Sequence, residues 1–272
     1  MCELLAISCR QPARLSFSLA ALTAHTTPGH SARDGWGLAY YQGRDVALYR
    51  EPAPASESPL VRRLESEGPP TVLALSHIRH ATRGERTLAN TQPFVRELGG
   101  RSHVFAHNGD LPGLMTDPKF ALTQFQPLGE TDSEHAFCAL LARLAPLWQD
   151  QRTPTLQARL DRVADFAADL RAFGPASFLY ADSEILFAHG HRRLQADGRI
   201  APPGLHWLQR RCAHDQEPLQ ADGVCVGCGY QQVLLLASVP LSDEPWQALA
   251  EGETVAVAGG QLLARRLPHA PG

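Results

Sequence analysis

Apolar residues run along this chain in two rhythms. Short apolar or alternating runs predict strands, and a spacing of three to four predicts helices. The first run, Leu4-Leu5-Ala6-Ile7, is apolar on both faces, so a buried strand is expected over residues 2–9. Burial there would hold a terminus that would otherwise fray. Leu15, Leu19 and Leu22 have helical spacing and predict a helix over residues 13–23, followed by a polar loop over 26–33. Asp34-Gly35-Trp36-Gly37 then leads into two apolar runs, 38–41 and 46–49, with Gly43 between them. That pattern predicts a β-hairpin. Its two leading glycines either relieve turn strain or let backbone come close to a ligand.

A surface loop rich in Pro, Ser and Ala is expected over 51–59. Leu60, Val61 and Leu64 predict a short helix ending near Gly68. Residues 71–78 and 103–107 predict strands, separated by the turn Asn90-Thr91-Gln92-Pro93-Phe94. Thr131-Asp132-Ser133-Glu134 has capping-box spacing and opens a helix carrying Phe137, Leu140, Leu141 and Leu144, which Pro146 ends. A second helix is expected to open at Thr153-Pro154, to bury Leu156, Leu160, Val163, Ala167 and Leu170, and to close at Gly174. Hairpins over 177–188 and 254–264, strands over 205–208 and 233–239, and one helical turn over 246–249 complete the pattern. Strands and helices are segregated rather than alternating, which predicts an α+β fold. No repeat or low-complexity linker divides residues 2–272, so a single domain is expected.

At 272 residues the chain can build a core without covalent staples. A net charge of −3 gives no basic footprint for nucleic acid. No apolar run reaches the roughly 18 residues of a membrane span, and no secretory leader is recognisable, so no membrane partner is expected and the expected location is cytoplasmic. Six cysteines in a chain of this length are not a disulfide framework.

Several residues could carry chemistry. Without Met1, Cys2 would combine a thiol with a free α-amine, a soft nucleophile beside a base that titrates near neutral pH. Removal of Met1 is expected, because cysteine is small. Arg79 ends an apolar strand, where a guanidinium can hold a carboxylate or make a structural ion pair. Thr82 and Gly84 follow it with a hydroxyl and accessible backbone. Asn108-Gly109 reads either as a hairpin turn or as two donors converging on one oxyanion. His107 reads as a packed or surface histidine rather than a general base. Asp132, in a first helical turn, suits the helix dipole and could also receive an ammonium group. Cys225 and Cys228, with Cys212 and His214, offer four soft ligands. Cys212-Ala213-His214 is too tight for the second pair of a zinc ribbon, so no metal and no cofactor are expected.

In order, Met1-Cys2, residues 34–37, Arg79-His80-Ala81-Thr82-Arg83-Gly84, residues 90–94, His107-Asn108-Gly109 and residues 130–134 resemble the class II, N-terminal-nucleophile glutamine amidotransferases. The likeness is greatest to their stand-alone YafJ-type branch. The resemblance implies a four-layer αββα sandwich of two antiparallel sheets. It implies that Cys2 attacks the glutamine side-chain amide, that Asn108 and Gly109 stabilise the oxyanion, that Arg79 and Thr82 hold the α-carboxylate and that Asp132 holds the α-ammonium. A γ-glutamyl thioester would then yield glutamate and ammonia. His80 and Arg83 depart from the pattern of other branches, which opens the alternative of a γ-glutamyl amide hydrolase acting on a larger γ-glutamyl conjugate. With no synthase domain after Gly272, the ammonia acceptor is expected on a separate protein or not at all. A rival of another class is a zinc-binding interaction module built on Cys212, His214, Cys225 and Cys228. Another is a non-catalytic relative that only binds a partner.

Overall fold

A computed structural model describes residues 2–13, 15–17, 34–80, 85–212, 219–221, 224–226 and 231–268. In chain order the strands are β1 (Glu3–Ala13), β2 (Leu15–Phe17), β3 (Trp36–Gln42), β4 (Asp45–Glu51), β5 (Thr71–Ile78), β6 (Phe94–Glu97), β7 (Ser102–Asn108), β8 (Ser177–Ala181) and β9 (Leu186–Gly190). There follow β10 (Arg193–Leu194), β11 (Ile200–Ala201), β12 (His206–Cys212), β13 (Leu219–Ala221), β14 (Val224–Val226), β15 (Gln231–Ala237), β16 (Gln247–Ala248), β17 (Glu253–Ala258) and β18 (Gln261–Arg266). The α-helices are α1 (Pro59–Glu67), α2 (Asp132–Leu144) and α3 (Leu156–Leu170).

Two antiparallel sheets dominate, in the orders β16-β12-β15-β1-β5-β3-β4 and β18-β17-β9-β8-β7-β6. Strand alternation explains how they stack. On β1, Leu4 and Ala6 face the second sheet, where they meet Val104, Ala106, Leu179 and Val255. Leu5, Ile7 and Cys9 face outward, toward Val61 and Leu64 of α1. On β7, Phe105 points the other way, into a core with Phe137 and Leu140 of α2 and Phe166 of α3. The layers are therefore helix, sheet, sheet, helices. Both faces of β1 are buried from Glu3 to Cys9 because both sheet surfaces have a partner layer, which is why the run Leu4-Leu5-Ala6-Ile7 within it is continuously apolar.

The strands expected over 2–9, 71–78, 103–107, 205–208 and 233–239 form, as do the hairpins over 38–49, 177–188 and 254–264, and so do α1 and α2. Thr131 caps α2 as expected, its Oγ1 accepting from Glu134 N at 3.3 Å. The Glu134 carboxylate does not complete the box. It accepts from Gly129 N and pairs with Arg96 instead.

Four expectations are corrected. Residues 13 and 15–17 are not helical: β1 runs on to Ala13 opposite Thr71, and β2 pairs with β14. The leucine spacing there is overridden by ladder bonds that satisfy the backbone. Residues 18–33 lie outside the described set. Helix α3 opens two residues later than expected, because Thr155 rather than Thr153 caps Ala158 N, at 3.2 Å. It closes at Arg171, and Gly174 (φ 154°) packs against the backbone of Asp110 instead of capping it. The expected helical turn over 246–249 is the edge strand β16, paired with β12, and Leu249 packs between the sheets.

Tyr41 ties the two sheets together. From β3 its hydroxyl lies 2.9 Å from both Ser102 O and Ala181 O of the facing sheet. Tyr41→Phe removes that donor without changing the packed volume. It should lower unfolding free energy by about 1 kcal/mol, read as a lower urea midpoint with an unchanged slope.

Candidate active site

Strand β1 delivers Cys2 to the end of the space between the sheets. β15 pairs along one side of β1 and β5 along the other. Both backbone groups of Leu4 are held by Ser238: Leu4 N donates to its Oγ at 2.9 Å, and Ser238 N donates to Leu4 O at 3.0 Å. Glu3 is buried against Arg193, at 2.8 Å. Burial outweighs the guanidinium and pushes this carboxyl up to about 7.

Strand β5 ends one residue before Arg79, so its register sets the next part of the site. His80 N donates to Cys2 Sγ at 3.3 Å, and the thiol faces His80 O at 3.5 Å. Burial pushes the Cys2 thiol up, against the downward pull of the His80 bond. Arg79 is 4% exposed and donates through Nη1 to Glu85 O at 3.0 Å. Burial also lowers its pKa, opposed by the Cys2, Asp34 and Glu130 charges. A guanidinium is so basic that it remains a cation there. Thr82 and Gly84 lie outside the described residues.

From the facing sheet, β7 brings Asn108, whose Nδ2 donates to Cys2 O at 2.7 Å. Its Oδ1 has no partner among the described residues. Asn108-Gly109 does not make a hairpin. β7 pairs with β8 through Ser177, and the chain after Gly109 enters the cavity wall. A Cβ on Gly109 would lie 1.8 Å from Pro175 O, so close backbone approach demands glycine here. His107 is packed, as expected. Its Nε2 faces Pro175 O at 3.2 Å and its Nδ1 faces Ser133 Oγ at 2.9 Å. A carbonyl only accepts, so Nε2 carries the proton, and burial lowers the ring's pKa.

Asp132 opens α2. Its Oδ2 accepts from Leu111 N at 2.7 Å and its Oδ1 from Ser133 N at 2.8 Å. These bonds orient the carboxylate and leave further lone pairs for a ligand. Cys2, Arg79, Gly109 and Asp132 line one cavity of ≈ 230 Å³. The sequence reading gave no role to Asn90, Gln92, Glu130 or Ser133, which line it too. The signal was present in the stretch 90–92, which reads as a turn but carries two amide side chains. Of the zinc alternative, His214 and Cys228 lie outside the described residues, as do the side chains of Cys212 and Cys225.

The family described as class II glutamine amidotransferases matches the chain over residues 1–271. The chain belongs to that family. It is 33% identical over 260 residues to YafJ of Escherichia coli (strain K12), covering 93% of this chain and 96% of that one. A Haemophilus influenzae relative is 31% identical over 271 residues, with 97% and 86% covered. A crystal structure of a predicted glutamine amidotransferase from Pseudomonas aeruginosa PA01 superposes with a TM-score of 0.69 at 28% identity, covering 96% and 99%. The Bacillus subtilis glutamine PRPP amidotransferase shares the fold: TM-score 0.60 at 15% identity, with 97% of this chain and 48% of that one covered. The expected α+β sandwich of a class II amidotransferase is thus the fold observed. Among the described residues no helix is long and apolar enough to cross a membrane.

For this class II amidotransferase, Gly109→Ala tests the close approach at the site. Overpacking against the Pro175 carbonyl should cost about 1–3 kcal/mol in a urea titration, although the backbone angles of Gly109 are open to any residue.

Proposed function

We propose that residues 2–272 act as one glutaminase domain that hydrolyses the side-chain amide of glutamine with Cys2 as nucleophile. One observation carries this reading: a thiol, a buried cation and an oriented carboxylate share one small cavity. A free amino acid needs a cation for its carboxylate and an anion for its ammonium, and Arg79 and Asp132 supply them, with Thr82 assigned to assist Arg79.

The thiol needs a base, since burial raises its pKa and thiolate does not stand ready at neutral pH. With Met1 removed, the α-amine of Cys2 takes the thiol proton. The sulfur bonds to the amide carbon, and the carbonyl electrons move to oxygen. Asn108 Nδ2 and Gly109 N donate to that oxyanion. Collapse breaks the C–N bond, and the proton held by the amine leaves with ammonia. Water then attacks the γ-glutamyl thioester, releasing glutamate and restoring the thiol.

Cys2→Ala should abolish ammonia and glutamate release from glutamine while leaving the urea midpoint within about 1 kcal/mol of wild type, the range of a small substitution. Intact mass of the purified protein should lack Met1, and a species retaining Met1 should be inactive. The amine must be unprotonated to act, so kcat/KM should rise with pH through an apparent pKa of about 8 and fall away below it. Assays on γ-glutamyl conjugates beside glutamine identify the preferred substrate.

A further inference from the structure

The cavity has two halves on two different sheets, and a single short segment bonds to both. Gln92 is 6% exposed, and its side-chain amide grips the backbone of His107 at two points. His107 N donates to Oε1 at 2.6 Å, and Nε2 donates to His107 O at 3.2 Å. The next residues are Asn108 and Gly109, so this grip sets the direction in which their donors leave the strand. Gly37 makes room for it: a Cβ there would lie 2.2 Å from Gln92 O.

Two residues earlier, Asn90 is 3% exposed and bonds the opposite wall. Its Oδ1 accepts from Glu130 N at 3.0 Å, and its Nδ2 reaches Glu130 Oε1 and Glu85 O, both at 3.2 Å. Glu130 leads through Thr131 into Asp132. Glu85 O is the acceptor that fixes the Arg79 guanidinium at 3.0 Å. Asn90 thus orders the backbone beside both charged groups of the amino-acid cradle. A Cβ on Gly129 would lie 2.3 Å from Asn90 Oδ1, so that backbone is glycine where the amide presses on it.

We propose that Asn90 and Gln92 are positioning residues with separate duties: Gln92 aims the oxyanion donors Asn108 and Gly109, and Asn90 sets the cradle of Arg79 and Asp132. The assignment rests on the roles given above to those groups. Oxyanion contacts strengthen only in the transition state and so act on kcat, whereas cradle contacts exist in the ground state and act on KM.

Steady-state glutamine hydrolysis by Gln92→Met and Asn90→Leu tests this. Gln92→Met should lower kcat about 10–100-fold with KM within about twofold. Gln92→Glu, which keeps the acceptor for His107 N and loses the donor, should fall between it and wild type. Asn90→Leu should raise KM about tenfold with kcat within about threefold. Parallel losses in both constants for both variants, or unchanged constants, overturn the division. Hydrogen exchange read by mass spectrometry needs no activity. Gln92→Met should speed exchange in peptides spanning 103–111 and not in those spanning 127–134, and Asn90→Leu the reverse. A wild type that releases no ammonia overturns the proposed function. The exchange pattern then still decides the framing, and exchange that rises in both peptides, or in neither, overturns it.

Discussion

A chain end is normally the loosest part of a protein, and here it sits in the middle of a ladder. β1 lies between β15 and β5, bonded along both edges and packed on both faces. Hydrogen bonds on two sides and apolar contact on the other two leave the first strand little freedom, so its leading residue has a defined place. The rest of the site depends on that constraint. A side chain on a frayed terminus would face no fixed partner, and the conformational entropy of ordering it would fall on each binding event. The fold meets that cost during folding, through contacts remote from any substrate.

The two sheets then divide the work. The first sheet supplies Cys2 and Arg79 from adjacent strands, because β1 and β5 pair with Glu3 opposite Ile78. The second supplies Asn108 and Gly109 from the end of β7, and Asp132 from the helix packed on its far side. The sheet-to-sheet packing, with Tyr41 bridging it, fixes the spacing between Cys2 and the end of β7. A sandwich interior is densely packed and resists small displacements.

Much of this was legible in the residues. The apolar run after Cys2, the strand ending at Ile78 and the cap at Thr131 each carry a local signal that the structure keeps. The motifs from Cys2 to residues 130–134, taken in order, carried the resemblance to the family. What failed was local preference against pairing. Residues 15–17 have helical spacing but find a ladder partner in β14, and residues 247–248 find one in β12. Sheet pairing is a property of distant segments, and no window of sequence contains both. The same holds for Gln92. Its type says only that two donors and an acceptor are present, and its meaning comes from a backbone fifteen residues away. Asn108 was legible as an oxyanion candidate, but its bond to the carbonyl of Cys2 was not.

That bond has a mechanical consequence. An amide nitrogen carries two hydrogens. One Nδ2 hydrogen of Asn108 goes to the carbonyl of Cys2. The start of β1 and the end of β7, in different sheets, are thereby pinned to each other. A shift of either strand end therefore strains the bond to the other.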